Sequence, residues 1–207
     1  MPEGIWRVVI TIIIGYLLGS ISFSLVIGKL VAHKDVRQYG SGNAGTTNVL
    51  RVLGKKAALA VLVGDILKCL AAVIIGGLFI PVYGGWIGGI ACMVGHVFPV
   101  FFKFKGGKAV ATGFAVMAFA CPMAGFPAVG VFFVVFAITR IVSVSSLAAF
   151  LSFPFFVWLF VGEPVLILVA AAMFVFVLIL HRENIKRLIR GEEKKISFTI
   201  PNPHPHL

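Results

Sequence analysis

Long apolar runs separated by short polar segments fill this chain. They cover Ile5–Val31, Ala57–Ile80, Gly84–Phe102, Ala109–Ala120, Met123–Ile138, Leu147–Val161 and Val165–Leu180. A helix needs about 20 apolar residues to cross a bilayer, and fewer where the membrane thins, so the runs predict transmembrane helices. Asp65 and Lys68 interrupt the second run, and Gly162-Glu163-Pro164 separates the last two. The break at Cys121-Pro122 decides the count. One helix through Ala109–Ile138 would extend ~45 Å, too long for one crossing, so two short helices are expected there.

Charge parity supports the same division. With Lys34–Lys56 on the cytoplasmic side, alternation puts Lys103, Lys105, Lys108, Arg140 and the basic tail from Arg182 to Lys195 inside. The other side receives Glu3, Arg7, Cys121-Pro122, Glu163 and the uncharged turn Pro81–Gly85. Basic residues favour the cytoplasmic side of membrane proteins. The expected fold is therefore all-α integral membrane, with seven transmembrane helices, the N-terminus outside and the C-terminus cytoplasmic. Residues 1–200 read as a single domain and 201–207 as a disordered tail, whose histidines are not read as a metal site.

Composition agrees with a lipid solvent: 60% of the 207 residues are hydrophobic and 12% are charged. The net charge of +11 lies between the apolar spans, which points to orientation and to anionic lipids or substrates rather than to nucleic acid. The N-terminus has Arg7 alone as a basic residue, and the apolar run is long and reaches Gly28-Lys29 without a small-x-small cleavage site, so it reads as a span rather than a signal peptide. Cys69, Cys92 and Cys121 are odd in number and widely spaced within apolar runs. They form neither a zinc pattern nor a disulfide framework.

The polar segment Gly40-Ser41-Gly42-Asn43-Ala44-Gly45-Thr46-Thr47-Asn48, with Arg51 a turn beyond, is anomalous in so oily a chain. Glycines let backbone N–H groups converge on a ligand, and the segment reads as half of an anion site. It matches G-x-G-x-x-G, but no strand precedes it and Asp65 lies in an apolar span, which excludes a dinucleotide fold. Gly40–Asn48 precedes the second span, Gly106-Gly107-Lys108 the fourth, and Ser143, Ser145 and Ser146 the sixth. Phe102 and Ala109 replace the leading glycine and the hydroxyl of a nucleotide-binding P-loop, so that reading also fails. Helix N-termini attract phosphate, and three are expected on one face. His181 and Asn184 end the last span on the same face. Singly, the serines would read as helix caps. Asp65 and Lys68 fit an intrahelical ion pair as well as a functional pair, and His96 reads as a packed, hydrogen-bonded histidine.

Taken in order, Gly15-Tyr16-Leu17-Leu18-Gly19-Ser20, Gly40 to Asn43 through Thr47-Asn48 and Arg51, Gly54-Lys55-Lys56 and Asp65-Ile66-Leu67-Lys68 resemble the bacterial acyl-phosphate:glycerol-3-phosphate acyltransferases. Gly95-His96-Val97-Phe98-Pro99-Val100, Lys103 to Lys108 and His181-Arg182-Glu183-Asn184-Ile185 extend the resemblance over nearly the whole chain. It implies a seven-helix enzyme of the bacterial cytoplasmic (inner) membrane with its active site on the cytoplasmic face. Such enzymes transfer a fatty acyl group from acyl phosphate to the 1-hydroxyl of sn-glycerol 3-phosphate, without a cofactor or metal. The resemblance implies Ser41 and Arg51 as essential groups and places substrate phosphate near Gly106, Gly107 and Lys108. It assigns His181 and Asn184 to glycerol phosphate, and it admits association with the enzyme that produces acyl phosphate.

The residues fit that chemistry. Acyl phosphate is already activated, so the task is to hold two anions together and orient a hydroxyl. Gly40, Ser41, Gly42, Asn43, Gly45, Thr47 and Asn48 are expected around the acyl phosphate. Arg51, Gly106, Gly107, Lys108, Ser143, Ser146, His181 and Asn184 are expected around glycerol phosphate. The base is His181 or the acyl phosphate itself, with the latter favoured and no covalent acyl-enzyme expected. The chain departs from the family pattern at Ser22, Ser24, Thr46, Cys69 and Ala109, where small or proline residues are usual. An added methyl at Ala109 should change phosphate affinity rather than abolish activity. A transporter of phosphate or a phosphorylated solute is the competing class, and a structural membrane protein is a weaker third.

Overall fold

The computed structural model describes residues 4–196. The expected tail at 201–207 lies outside the described residues. The helices are α1 (Ile5–Ser20), α2 (Phe23–Ala32), α3 (Thr46–Leu53), α4 (Lys55–Phe79), α5 (Gly84–Val97), α6 (Val110–Ala120), α7 (Pro122–Thr139), α8 (Val142–Phe160), α9 (Pro164–Leu180) and α10 (Arg182–Ile189).

Apolar side chains covering every face make the long helices, because a helix satisfies its own backbone in lipid. Among the described residues, five segments, 5–32, 55–79, 84–102, 122–139 and 142–160, are each long and apolar enough to cross. α9 and α10, bent by 62° at His181, would make a sixth if taken as one crossing. α6, at 11 residues, is apolar but short. Pro122 starts α7 immediately after α6, as the Cys121-Pro122 signal predicts.

Three sequence expectations need correction. The first run is not one helix: Ser22 is extended, and the chain breaks between α1 and α2. Lys68 of α4 explains why the break persists, since its Nζ donates to the carbonyls of Gly19 at 3.1 Å and Ile21 at 2.7 Å. The glycine-rich loop does not lead into the second span but into the separate helix α3, with Gly54 at φ 84° turning the chain into α4. Finally, α8 begins at Val142, so Ser143, Ser145 and Ser146 lie inside its first turns and do not cap it. Ser145 and Ser146 instead donate back to the carbonyls of Ile141 and Val142, each at 2.8 Å.

Small residues bring the first helices close. α1 packs along α5, and α5 along α4. A methyl added at Gly19 would overlap the backbone of Cys92, and Gly76 and Gly84 each leave no room for a Cβ on the other. Close backbone approach of this kind drives helix association where lipid removes the hydrophobic incentive. A second cluster joins α5 and α6 to α8 through Met93, Met117, Phe150 and Phe153. Trp86 stacks on Phe153 at a 5.9 Å centroid distance. Contacts of Lys108 with Asn184 and of Ser143 with Glu193 bring the N-terminal ends of α6 and α8 to α10 and the segment after it, and the loop before α3 lines the same cavity.

Candidate active site

The first loop is built around Asn48. Its Oδ1 accepts from the Ser41 amide at 2.8 Å and from the Ser41 hydroxyl at 3.1 Å. Its Nδ2 donates to the carbonyls of Val36 and Tyr39 at 2.8 and 3.1 Å. Asn48 is buried, and its amide is fully used inside the loop, so it shapes the site rather than facing a ligand. Gly40 and Gly42 turn at φ 62° and 72°, in the left-handed region that glycine enters without strain. The Gly42 amide donates to the Tyr39 carbonyl at 3.1 Å. The N–H groups of Ser41 and Gly42 are therefore spent within the loop, and the Asn43 side chain makes no hydrogen bond among the described residues. Gly45 caps α3, and Thr47 lies half-buried in its first turn. Arg51, in the last turn of α3, is exposed and makes no ion pair or hydrogen bond among the described residues.

A pair absent from the sequence reading joins this loop to the next. Asp35 and Arg37 form an ion pair at 2.7 Å. The other arm of Arg37 donates to the carbonyls of Phe102 and Lys105 at 3.0 and 3.1 Å. The Arg37 guanidinium holds the Asp35 carboxyl below the usual carboxylate range. An acid two residues before an arginine was a visible signal for the pair, but not for its distant carbonyl partners.

In the second loop the glycine amides are spent too. Gly106 donates to the Val97 carbonyl at 3.0 Å and Gly107 to the His96 carbonyl at 3.1 Å. The glycines serve by size: a methyl at Gly106 would overlap the His96 carbonyl, and one at Gly107 would overlap the His96 ring. Lys108, next in the chain, is half-buried and donates to the Asn184 side-chain carbonyl. Burial pushes its pKa down to about 8, with repulsion from Arg187 adding to this and Glu193 opposing it. Ala109 is fully buried at φ 56° and starts α6 from a left-handed conformation. An L-residue there bears roughly 1–2 kcal/mol of strain that glycine would not.

The third element is the α9–α10 junction and the segment beyond it. His181 is buried, and its Nδ1 lies 2.8 Å from the Val177 carbonyl. A carbonyl only accepts, so Nδ1 carries the proton and the neutral ring presents a lone pair at Nε2. Asn184 donates to Glu193 Oε1 at 2.6 Å. Ser143 donates to the same oxygen at 2.9 Å, and Arg187 reaches Oε2 at 2.7 Å. Burial alone would raise the Glu193 pKa, but hydrogen bonds from Asn184, Arg187 and Ser143 outweigh it and hold the carboxyl ionised below its ordinary value. Glu193 orders the group that Lys108 touches. An acidic residue inside a basic tail was the one available signal for it.

These elements enclose a cavity of about 270 Å³. Its lining includes Ser41, Gly42 and Asn43 of the first loop, Gly107 and Lys108 of the second, and Arg182, Glu183 and Arg187 of α10. Its size suits a small ester, and its cations suit an anion. Arg51 acts electrostatically on Lys108 from nearby. Ser146 bonds to its own helix, whereas Ser143 reaches the relay through Glu193.

Comparison with known proteins accords with this geometry. A family model described as "Glycerol-3-phosphate acyltransferase" matches residues 9–191. The glycerol-3-phosphate acyltransferase of Bacillus velezensis is 44% identical over 192 residues, covering 92% of this chain and 98% of that protein. Its counterpart in Bacillus subtilis is 40% identical over 191 residues, with coverage of 92% and 98%. The crystal structure of PlsY (YgiH), an integral membrane glycerol 3-phosphate acyltransferase, in its glycerol 3-phosphate form superposes with a TM-score of 0.86 at 36% identity, covering 92% of this chain and 96% of that one. The same protein in its lysophosphatidic acid form gives 0.82 at 36% identity, covering 92% and 95%. With a family model matched over residues 9–191 and a relative 44% identical over 92% of its length, the chain belongs to the glycerol-3-phosphate acyltransferase family.

Proposed function

We propose that this chain transfers a fatty acyl group from acyl phosphate to the 1-hydroxyl of sn-glycerol 3-phosphate, forming lysophosphatidate and inorganic phosphate for phospholipid synthesis. The observation that carries the reading is the meeting of Lys108 with Asn184 at a basic cavity, braced by Glu193. Lys108 and Arg51 hold the phosphate of glycerol phosphate, with Asn184 orienting the lysine and Ser143 bracing Glu193. Ser41, Asn43 and the turn from Gly40 to Gly45 face the acyl phosphate, whose chain lies among the helices in lipid.

The chemistry needs no acyl-enzyme. The glycerol 1-hydroxyl attacks the acyl carbon, a new C–O ester bond forms, and the bond from that carbon to the phosphate oxygen breaks. The hydroxyl proton ends on the departing phosphate. His181 Nε2 accepts a hydrogen bond from the neighbouring 2-hydroxyl of glycerol phosphate and so orients the attacking one, while Lys108 and Arg51 offset the repulsion between the two anions.

In the membrane, the seven apolar segments cross with the N-terminus outside. The active site then faces the cytoplasm of a bacterial inner membrane, where the enzyme that makes acyl phosphate would dock. Positive residues near Lys34–Lys56, Lys103–Lys108 and Arg182–Lys195 support this orientation.

The test is purified protein in detergent supplied with glycerol 3-phosphate and acyl phosphate, beside a parallel assay with an acyl thioester. Lysophosphatidate from acyl phosphate alone is the expected result. Product from the thioester alone would overturn the donor assignment, and no product from either would overturn the reading. Arg51→Ala and Lys108→Ala should each lose turnover while keeping the fold.

A further inference from the structure

Beneath the site lies a cluster of ionisable groups that the proposed chemistry does not use. Asp65, Lys68 and His96 are 1%, 5% and 6% exposed. Lys68 Nζ is 2.7 Å from Asp65 Oδ1, an ion pair rather than an aligned hydrogen bond. His96 Nδ1 lies 3.1 Å from Lys68 Nζ and 3.5 Å from Asp65 Oδ1. An ammonium has three N–H groups and only donates, and the carbonyls of Gly19 and Ile21 and the His96 Nδ1 lone pair take all of them. His96 Nδ1 therefore accepts from Lys68, which Asp65 in turn pairs, and the ring proton sits on Nε2 at the opposite edge.

The Nε2 edge meets the anion site. Gly107 packs on it so closely that a methyl there would overlap the ring, with the Ala44 carbonyl of the first loop alongside. The His96 backbone holds the same residue, since its carbonyl accepts from the Gly107 amide at 3.1 Å. His96 therefore grips Gly107 with both ring and main chain, one residue before Lys108. A buried ion pair contributes little net stability after desolvation, and ionisable groups at such depth are costly. Bracing the α1–α2 break would account for Lys68 and Asp65. It would not account for a histidine inserted between that pair and Gly107.

We propose that His96 is a positioning residue: its ring, oriented by Asp65 and Lys68, sets Gly107 and thereby the reach of Lys108 to the substrate phosphate. The inference rests on reading the cavity as the glycerol 3-phosphate site. It is tested with His96→Ala and His96→Gln in the full chain, by steady-state kinetics against each substrate and by thermal unfolding in detergent.

His96→Ala should raise KM for glycerol 3-phosphate about 10-fold or more, the scale of loss that slight misplacement of a binding group causes. Its kcat and its KM for acyl phosphate should stay within about 3-fold of the parent, because uniform binding rather than the chemical step is lost. His96→Gln, with an amide in the ring's place, should recover part of the KM. An unchanged KM for glycerol 3-phosphate in the folded variants would overturn the proposal. So would equal loss toward both substrates, or failure of both variants to fold, since the cluster would then be structural. If the parent protein itself made no lysophosphatidate, the functional reading would fail instead, so the two failures are distinguishable.

Discussion

His181 Nδ1 lies 2.8 Å from the carbonyl oxygen of Val177, one turn earlier on α9. That contact fixes where the ring's proton sits and leaves Nε2 as an acceptor. Replacing His181 with alanine should cut kcat by about 100-fold, the scale of loss when a reacting group is no longer held in place. The unfolding temperature in detergent should move far less. Lysophosphatidate formation in single turnovers provides the check, and turnover near the parent's would remove His181 from the chemistry.

Lys108 titrates near the working range. Its folded pKa of about 8 lies below the ordinary lysine value of 10.5. Between those values the unfolded chain holds a proton that the folded chain has released. The lysine's contribution to stability therefore rises with pH across that window. Affinity moves the other way, because the neutral amine no longer attracts phosphate. KM for glycerol 3-phosphate should climb as pH passes about 8, and a Lys108→Arg variant should lack that climb.

Glu193 is tied to Asn184, Ser143 and Arg187. Glu193→Ala should leave Arg187 unpaired and Asn184 free to turn, at about 1–3 kcal/mol of stability for the unsatisfied groups. Denaturation in detergent measures that cost. The folded fraction should also bind glycerol 3-phosphate more weakly, while Glu192→Ala, at an exposed neighbour, should do neither.

Ala109 occupies a left-handed conformation at φ 56°. Ala109→Gly removes that strain but adds freedom to the unfolded chain, so the net gain should be about 0.5–1 kcal/mol. A rise in unfolding temperature is the expected reading. The accompanying change in KM for glycerol 3-phosphate would show how far the methyl tightens the turn after Gly107. A fall in stability would mean that the buried methyl contributes more packing than the backbone loses.

What the sequence made legible were features whose signal is local. Apolar runs gave most helices, Pro122 marked the start of α7, and the polar stretch from Gly40 stood out against its surroundings. Lys108, His181 and Asn184 were placed on one face by charge parity before the resemblance added their roles, and Lys108 does meet Asn184. Less legible were features whose cause lies far along the chain. The α1–α2 break at Ile21-Ser22 has no proline beside it, and its explanation is Lys68 on another helix. Asn48 and Thr47 look equally suited to a ligand, yet only the fold reveals that the Asn48 amide closes its own loop. Ser143, Ser145 and Ser146 look like caps because short hydroxyl residues favour that place. The chain had already begun α8 at Val142, so the hydroxyls turned elsewhere.

The break between α1 and α2 has a consequence for biogenesis. Two of the carbonyls at that break, Gly19 and Ile21, accept from Lys68, which follows by 49 and 47 residues. A ribosome delivering the chain from its N-terminus inserts the first apolar segment before that lysine emerges. Until α4 arrives, the segment has either to run straight or to leave those oxygens to water. The first helix to enter the membrane thus takes its final shape only once a later helix is beside it.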